Sequence, residues 1–113
     1  MDNLICTIDY NQKQIDGSLE DVLPMGNIAQ KFEAFGWKVI ETKDGNNIDN
    51  MISVLNEAKS LCGNGTPICI IMHTEMGNGV DFMMGTHKWH GVAPNDEQLA
   101  EALAQNPESL GDY

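Results

Sequence analysis

The sequence contains no arginine, and its six lysines stand against seventeen acidic residues, a net charge of −11 over 113 residues. A surface so acidic repels polyanions, which argues against nucleic acid as a partner. No run of about 18 apolar residues is present, and the N-terminus lacks a basic segment followed by an apolar stretch and a cleavage site, so neither membrane insertion nor export is encoded. Cysteine is scarce and odd in number: Cys6, Cys62 and Cys69. Two of the three fall inside apolar runs, which reads as reduced core thiols and a cytoplasmic setting rather than a disulfide framework. The length suits one domain or part of one, and is short for a complete cofactor enzyme of the doubly wound kind.

What is present alternates between strand and helix signals. Leu4-Ile5-Cys6-Thr7-Ile8 is apolar and rich in β-branched residues, a buried strand by composition. Residues 18–26 mix glycine, proline and acidic side chains, a surface connection. Ile28, Phe32 and Phe35 mark one helical face, with Gly36 placed to close the helix in a left-handed cap. Trp37 to Thr42 reads as the next strand. Asn47 is a cap for a second helix in which Ile48, Ile52, Leu55 and the Lys59 stem face inward, until Gly63 or Gly65 stops it. Pro67 introduces Ile68-Cys69-Ile70-Ile71-Met72, an apolar run expected of a strand covered on both faces. Asp96 reads as the cap of a last helix containing Leu99 and Leu103, and the tail breaks at Pro107 and Gly111. The order strand, helix, strand, helix, strand predicts an α/β fold: a short parallel sheet of about three strands flanked by helices, with a long Gly-rich loop over residues 73–95 and a C-terminal helix.

The chemistry-bearing residues cluster at predicted strand ends. Asn11 follows the first strand and offers a neutral amide oxygen, and the turn after it can aim the Lys13 carbonyl at the same point; hard cations such as Mg²⁺ accept such ligands. The plainer reading is ordinary turn chemistry in Tyr10-Asn11 and Asp16-Gly17. Gly77-Asn78-Gly79 imitates a phosphate cradle, but with no helix start behind it backbone shape is the safer assignment. His73, closing an apolar strand, reads as a strand-end contact. Trp89-His90-Gly91 taken alone is structural, and Met76, Met83 and Met84 beside Phe82 serve as filler or as a partner surface.

Taken as an ordered set, Asp9-Tyr10-Asn11 with Ile15-Asp16-Gly17, Phe35-Gly36-Trp37, Gly77-Asn78-Gly79-Val80, and Trp89-His90-Gly91 followed by Ala93-Pro94-Asn95-Asp96-Glu97 strongly resemble transketolase. The resemblance runs from Asn3 to Tyr113 and is to the latter part of the diphosphate-binding domain in bacterial transketolases split into two subunits; Leu110-Gly111-Asp112-Tyr113 resembles the natural end of the N-terminal subunit. It implies a thiamine diphosphate enzyme that moves a two-carbon ketol unit between sugar phosphates, as in the pentose phosphate pathway. By the same resemblance Asn11 binds diphosphate and metal, the Lys13 backbone carbonyl binds Mg²⁺ (or Ca²⁺), Ile15 touches the cofactor, and His90 reaches cofactor and substrate as the catalytic proton donor or acceptor. His87 is a lesser substrate-binding candidate. Relatives often carry lysine near the glycine pair where Glu75, Met76 and Asn78 stand here, which lowers the expected phosphate attraction of this loop.

The family's upstream Gly-Asp-Gly motif, whose aspartate is the anionic metal ligand, has no counterpart in this sequence. Neither do the early histidines of the substrate channel or the activating glutamate of the partner subunit. Residues 1–113 therefore read as a single partial domain, catalytically silent and without bound cofactor when isolated. Its partners would be the missing N-terminal segment and a C-terminal transketolase subunit. The alternatives are a stand-alone, homo-oligomerising binding module and a fragment of a related deoxyxylulose phosphate synthase; Trp89-His90-Gly91-Val92-Ala93-Pro94 favours transketolase over the latter.

Overall fold

The structure is a computed structural model that describes residues 1–107, so the predicted break at Gly111 and the closing Leu110–Tyr113 match lie outside the described residues. In chain order the elements are β1 (Ile5–Tyr10), β2 (Lys13–Gln14), β3 (Gly17–Ser18), α1 (Leu19–Val22), α2 (Ile28–Ala34), β4 (Lys38–Thr42), α3 (Ile48–Leu61), β5 (Ile68–His73) and α4 (Asp96–Gln105). The expected parallel sheet is present, with β5 in the middle and strand order β1-β5-β4. The small antiparallel hairpin of β2 and β3 and the one-turn helix α1 have no counterpart in the sequence reading. Both are too short to carry a readable hydrophobic period.

The middle position of β5 follows from its composition. Ile68, Cys69, Ile70 and Ile71 each expose 1% of their surface or less. Ile68 and Ile70 pack with Ile40, Val54 and Ala58 under α3, whereas Cys69 and Ile71 pack with Ile28 under α2, beside Phe32 and Trp37. The Phe32 and Trp37 rings meet edge to face, centroids 5.4 Å apart. Full burial of one such isoleucine contributes about 1.5–3 kcal/mol, so this strand supplies much of the cohesion between the two helical layers. The composition of β1 predicts a buried strand. It is an edge strand instead, its side chains alternating between half-buried and exposed along most of its length, as a strand covered on one side only must.

Capping largely explains the helix starts. The Asn27 and Asn47 amide oxygens each accept the backbone N–H three residues on, from Gln30 and Asn50, at 2.9 Å. The last helix is capped by Asn95, not Asp96: Asn95 and Gln98 exchange side-chain-to-backbone hydrogen bonds in a reciprocal box, which leaves Asp96 inside the first turn, where its charge suits the helix dipole.

Two predicted helix faces are corrected. Phe35 ends α2 and is 85% exposed, because the chain leaves helical geometry there and Gly36, at φ +80°, turns it into β4. On α3 the inward stripe is Val54 and Ala58, flanked by Leu61. The Ile48, Ile52 and Leu55 stripe, a neighbouring set at the same helical spacing, faces outward. The small side chain of Ala58 lets α3 approach the sheet, and the bulkier stripe is turned away. The radius of gyration, 17.1 Å, exceeds the roughly 13 Å of a compact domain of this length, and the molecule is a slab 52 × 40 × 19 Å.

Two measurements check this packing. Ile70→Ala should lower unfolding free energy in urea by about 2–5 kcal/mol, whereas Ile52→Ser should leave it within about 0.5 kcal/mol; an equal loss in both would restore the predicted stripe. Burial, with Cys6 alongside, pushes the Cys69 thiol up from 9.0 to about 11. Below pH 9 this thiol is neutral folded and unfolded. Above it the unfolded chain alone releases the proton, so stability in denaturant should decline as pH rises from about 9 to about 11, and Cys69→Ala should remove that part of the decline.

Candidate functional site

Register places the site. Tyr10, the last residue of β1, pairs with His73, the last residue of β5, so the connections starting at Asn11 and Thr74 leave the sheet side by side at its carboxyl end. The Thr74 hydroxyl donates to the Asp9 carboxylate across these two exits. On the other side of β5, His73 Nε2 lies 2.6 Å from Glu41 Oε1, and the His73 ring meets Tyr10 edge on at 5.3 Å. His73 is thus a strand-end contact, in keeping with its place in the sequence.

Asn11 opens the first connection. Its Oδ1 accepts the Lys13 N–H at 2.9 Å, closing a turn over Gln12, which sits at φ +59°. A non-glycine residue in the left-handed region costs of the order of 1 kcal/mol and persists where its surroundings impose it. Here the Gln12 carbonyl is fixed by accepting the Leu19 N–H at 3.0 Å, across the β2–β3 hairpin. Ile15, at the tip of that hairpin, is 61% exposed. Next to it, Gln14 Nε2 is buried and has no acceptor among the described residues. This orphaned donor is invisible in the sequence, since nothing in Lys13-Gln14-Ile15 separates a buried amide from a surface one.

The second connection carries the histidines. Gly77 and Gly79 have φ of +75° and +92°, and a Cβ on Gly77 would lie 2.6 Å from the Met83 Cβ, so the glycine pair provides backbone shape. Val80 is buried beneath the loop, and the chain then winds through turns in which the Val80 carbonyl accepts the Met83 N–H. The Trp89 indole donates to the Phe82 carbonyl at 3.0 Å and packs edge to face on the Phe82 ring. Beside it His87 is half-buried and His90 exposed, joined by a hydrogen bond from the His90 N–H to the His87 carbonyl. Neither imidazole ring hydrogen-bonds within the described residues, and no hydrogen bond there links His90 to Asn11. The end of α4 braces the loop: Gln105 bonds both the backbone and the carboxylate of Asp81, and Asn106 donates to the Gly79 carbonyl.

The donor chemistry fits a hard cation in kind. Asn11 Oδ1 keeps a lone pair beyond the one given to Lys13, and the Lys13 carbonyl is a second neutral oxygen. Among the described residues no group of three or more His, Cys, Asp or Glu side chains is arranged to hold a metal ion, and they enclose no pocket. None of their helices is long and apolar enough to cross a membrane.

Comparison with known proteins agrees with this geometry. Residues 1–108 match the family described as transketolase, thiamine diphosphate binding domain. The chain is 36% identical over 111 residues to one of the subunits of the apulose-4-phosphate transketolase of Phocaeicola vulgatus, covering 97% of this chain and 38% of that one. It is 34% identical over 105 residues to the 6-deoxy-6-sulfo-D-fructose transketolase subunit SqwG of Clostridium sp., covering 93% and 37%. The crystal structure of Campylobacter jejuni transketolase superposes with a TM-score of 0.80 at 29% identity, over 92% of this chain and 16% of that one. The chain thus spans less than two-fifths of the length of the curated relatives it matches. With strand order, motif order and family match in agreement, this chain belongs to the transketolase thiamine diphosphate-binding domain family.

Proposed function

We propose that the chain supplies part of the catalytic centre of a transketolase that transfers a two-carbon ketol unit between sugar phosphates. The observation that supports this most is the Tyr10–His73 register, which starts the Asn11 turn and the His90 loop from neighbouring parallel strand ends. Thiamine diphosphate, when bound, supplies the carbanion chemistry. In this reading Asn11 Oδ1 and the Lys13 carbonyl ligate Mg²⁺ (or Ca²⁺), and Asn11 also meets the diphosphate. Ile15 offers an apolar contact to the cofactor. His90, with His87 near it, donates or accepts a proton at substrate oxygens.

Two neutral oxygens are a small share of the six that Mg²⁺ demands, and this cation sheds water reluctantly. The chain therefore works with the rest of the diphosphate site and with a C-terminal transketolase subunit, in the cytoplasm where its free cysteines stay reduced. The names of the two relatives, each a subunit of its enzyme, support a divided transketolase. A second reading, a non-catalytic module that self-associates, is favoured by the flat slab and by the outward Ile48, Ile52 and Leu55.

Calorimetry with thiamine diphosphate and Mg²⁺ should give no micromolar binding to the chain alone. Binding and ketol transfer should appear in a chimaera whose preceding segment comes from the Phocaeicola vulgatus relative, assayed with that enzyme's other subunit. In that chimaera His90→Ala should lower kcat by about 10²–10⁴-fold, and Asn11→Ala should abolish Mg²⁺-dependent cofactor binding; a chimaera indifferent to both substitutions would reject the reading. Light scattering of the isolated chain should show a dimer or larger, which Ile48→Glu on the outward stripe weakens; a monomer at high concentration would remove the self-associating alternative.

A further inference from the structure

The loop that carries His87 and His90 leaves β5 at Thr74, and its second residue, Glu75, is bonded in two directions. The Glu75 N–H donates to Asn46 Oδ1 at 2.7 Å, tying the loop stem to the β4–α3 connection. The Glu75 carboxylate turns back and accepts the Gly85 N–H at 2.6 Å through Oε1. The chain from Glu75 to Gly85 is thereby closed into a ring by one side chain. Inside that ring lie the Gly77–Met83 close approach, the buried Val80 and the Phe82 carbonyl that receives the Trp89 indole. The second half of the loop, with both histidines, rests on Phe82 and on Gly85.

We infer that Glu75 is a positioning residue: its carboxylate, held on the Gly85 amide, fixes the loop that presents His87 and His90. A charged acceptor on a backbone N–H makes a hydrogen bond roughly twice as strong as a neutral one, and one placed across a glycine-rich segment restrains the residues with the widest choice of conformations. The same bond gives Glu75 a partner.

The inference rests on the proposed function only for what His90 does; the restraint itself is a property of the full chain without ligand. Amide hydrogen exchange read by mass spectrometry tests it, with the β5 peptide as internal reference. Glu75→Ala should accelerate exchange over residues 79–90 by about tenfold while β5 protection stays unchanged. Glu75→Gln, which keeps an acceptor oxygen at the same reach but loses the charge, should restore part of the protection, leaving exchange about threefold faster than in the unsubstituted chain. Unchanged exchange in Glu75→Ala, equal acceleration in the loop and in β5, or failure of glutamine to rescue would each overturn the inference. None of these outcomes bears on thiamine diphosphate binding by the chimaera, so the two readings fail separately.

Discussion

The structure depends on one strand that is dry on both sides. β5 can bury four consecutive residues because parallel neighbours leave its two faces free for helices, and α2 and α3 are drawn to it from opposite sides. The candidate site hangs from its carboxyl end. The Gly-rich loop is its continuation, the Asn11 turn is the continuation of its partner β1, and the β4–α3 connection is pinned to it by the Gly45 N–H on the His73 carbonyl at 2.8 Å. A hydrophobic requirement in the middle of the sheet thus sets the geometry of polar groups at its rim.

How far this is legible in the sequence differs by element, for physical reasons. The run Ile68–Met72 identifies a central strand because a side chain on either face has to be apolar, and Asn47 and Gly36 mark helix ends because capping and left-handed turns select those residue types. The face of α3 is not legible. Ile48-Ile52-Leu55 and Val54-Ala58 both have helical spacing, and a bulkier stripe outranks a smaller one on any hydrophobicity count, whereas close packing favours the smaller. The β2–β3 hairpin and α1 escape notice because two or four residues hold no period.

The candidates Asn11, Lys13, Ile15 and His90, with His87 beside the last, come from the ordered motifs and the family they resemble. The site's supporting bonds do not. Glu75 reaching Gly85, Gln105 and Asn106 bracing the loop at Asp81 and Gly79, and Gln14 buried without an acceptor involve backbone partners or distant side chains that spacing does not reveal. Motifs name the candidate groups, while the bonds that brace their loops are found in three dimensions.

The parallel pairing of Tyr10 with His73 also constrains how such a chain can change over time. Side chains on a strand alternate in direction, so inserting or deleting a single residue within β1 would exchange its inner and outer faces and carry the Asn11 turn off by half a pleat. Substitutions along this edge are milder than changes of strand length, because only the latter move the Asn11 turn out of step with Thr74.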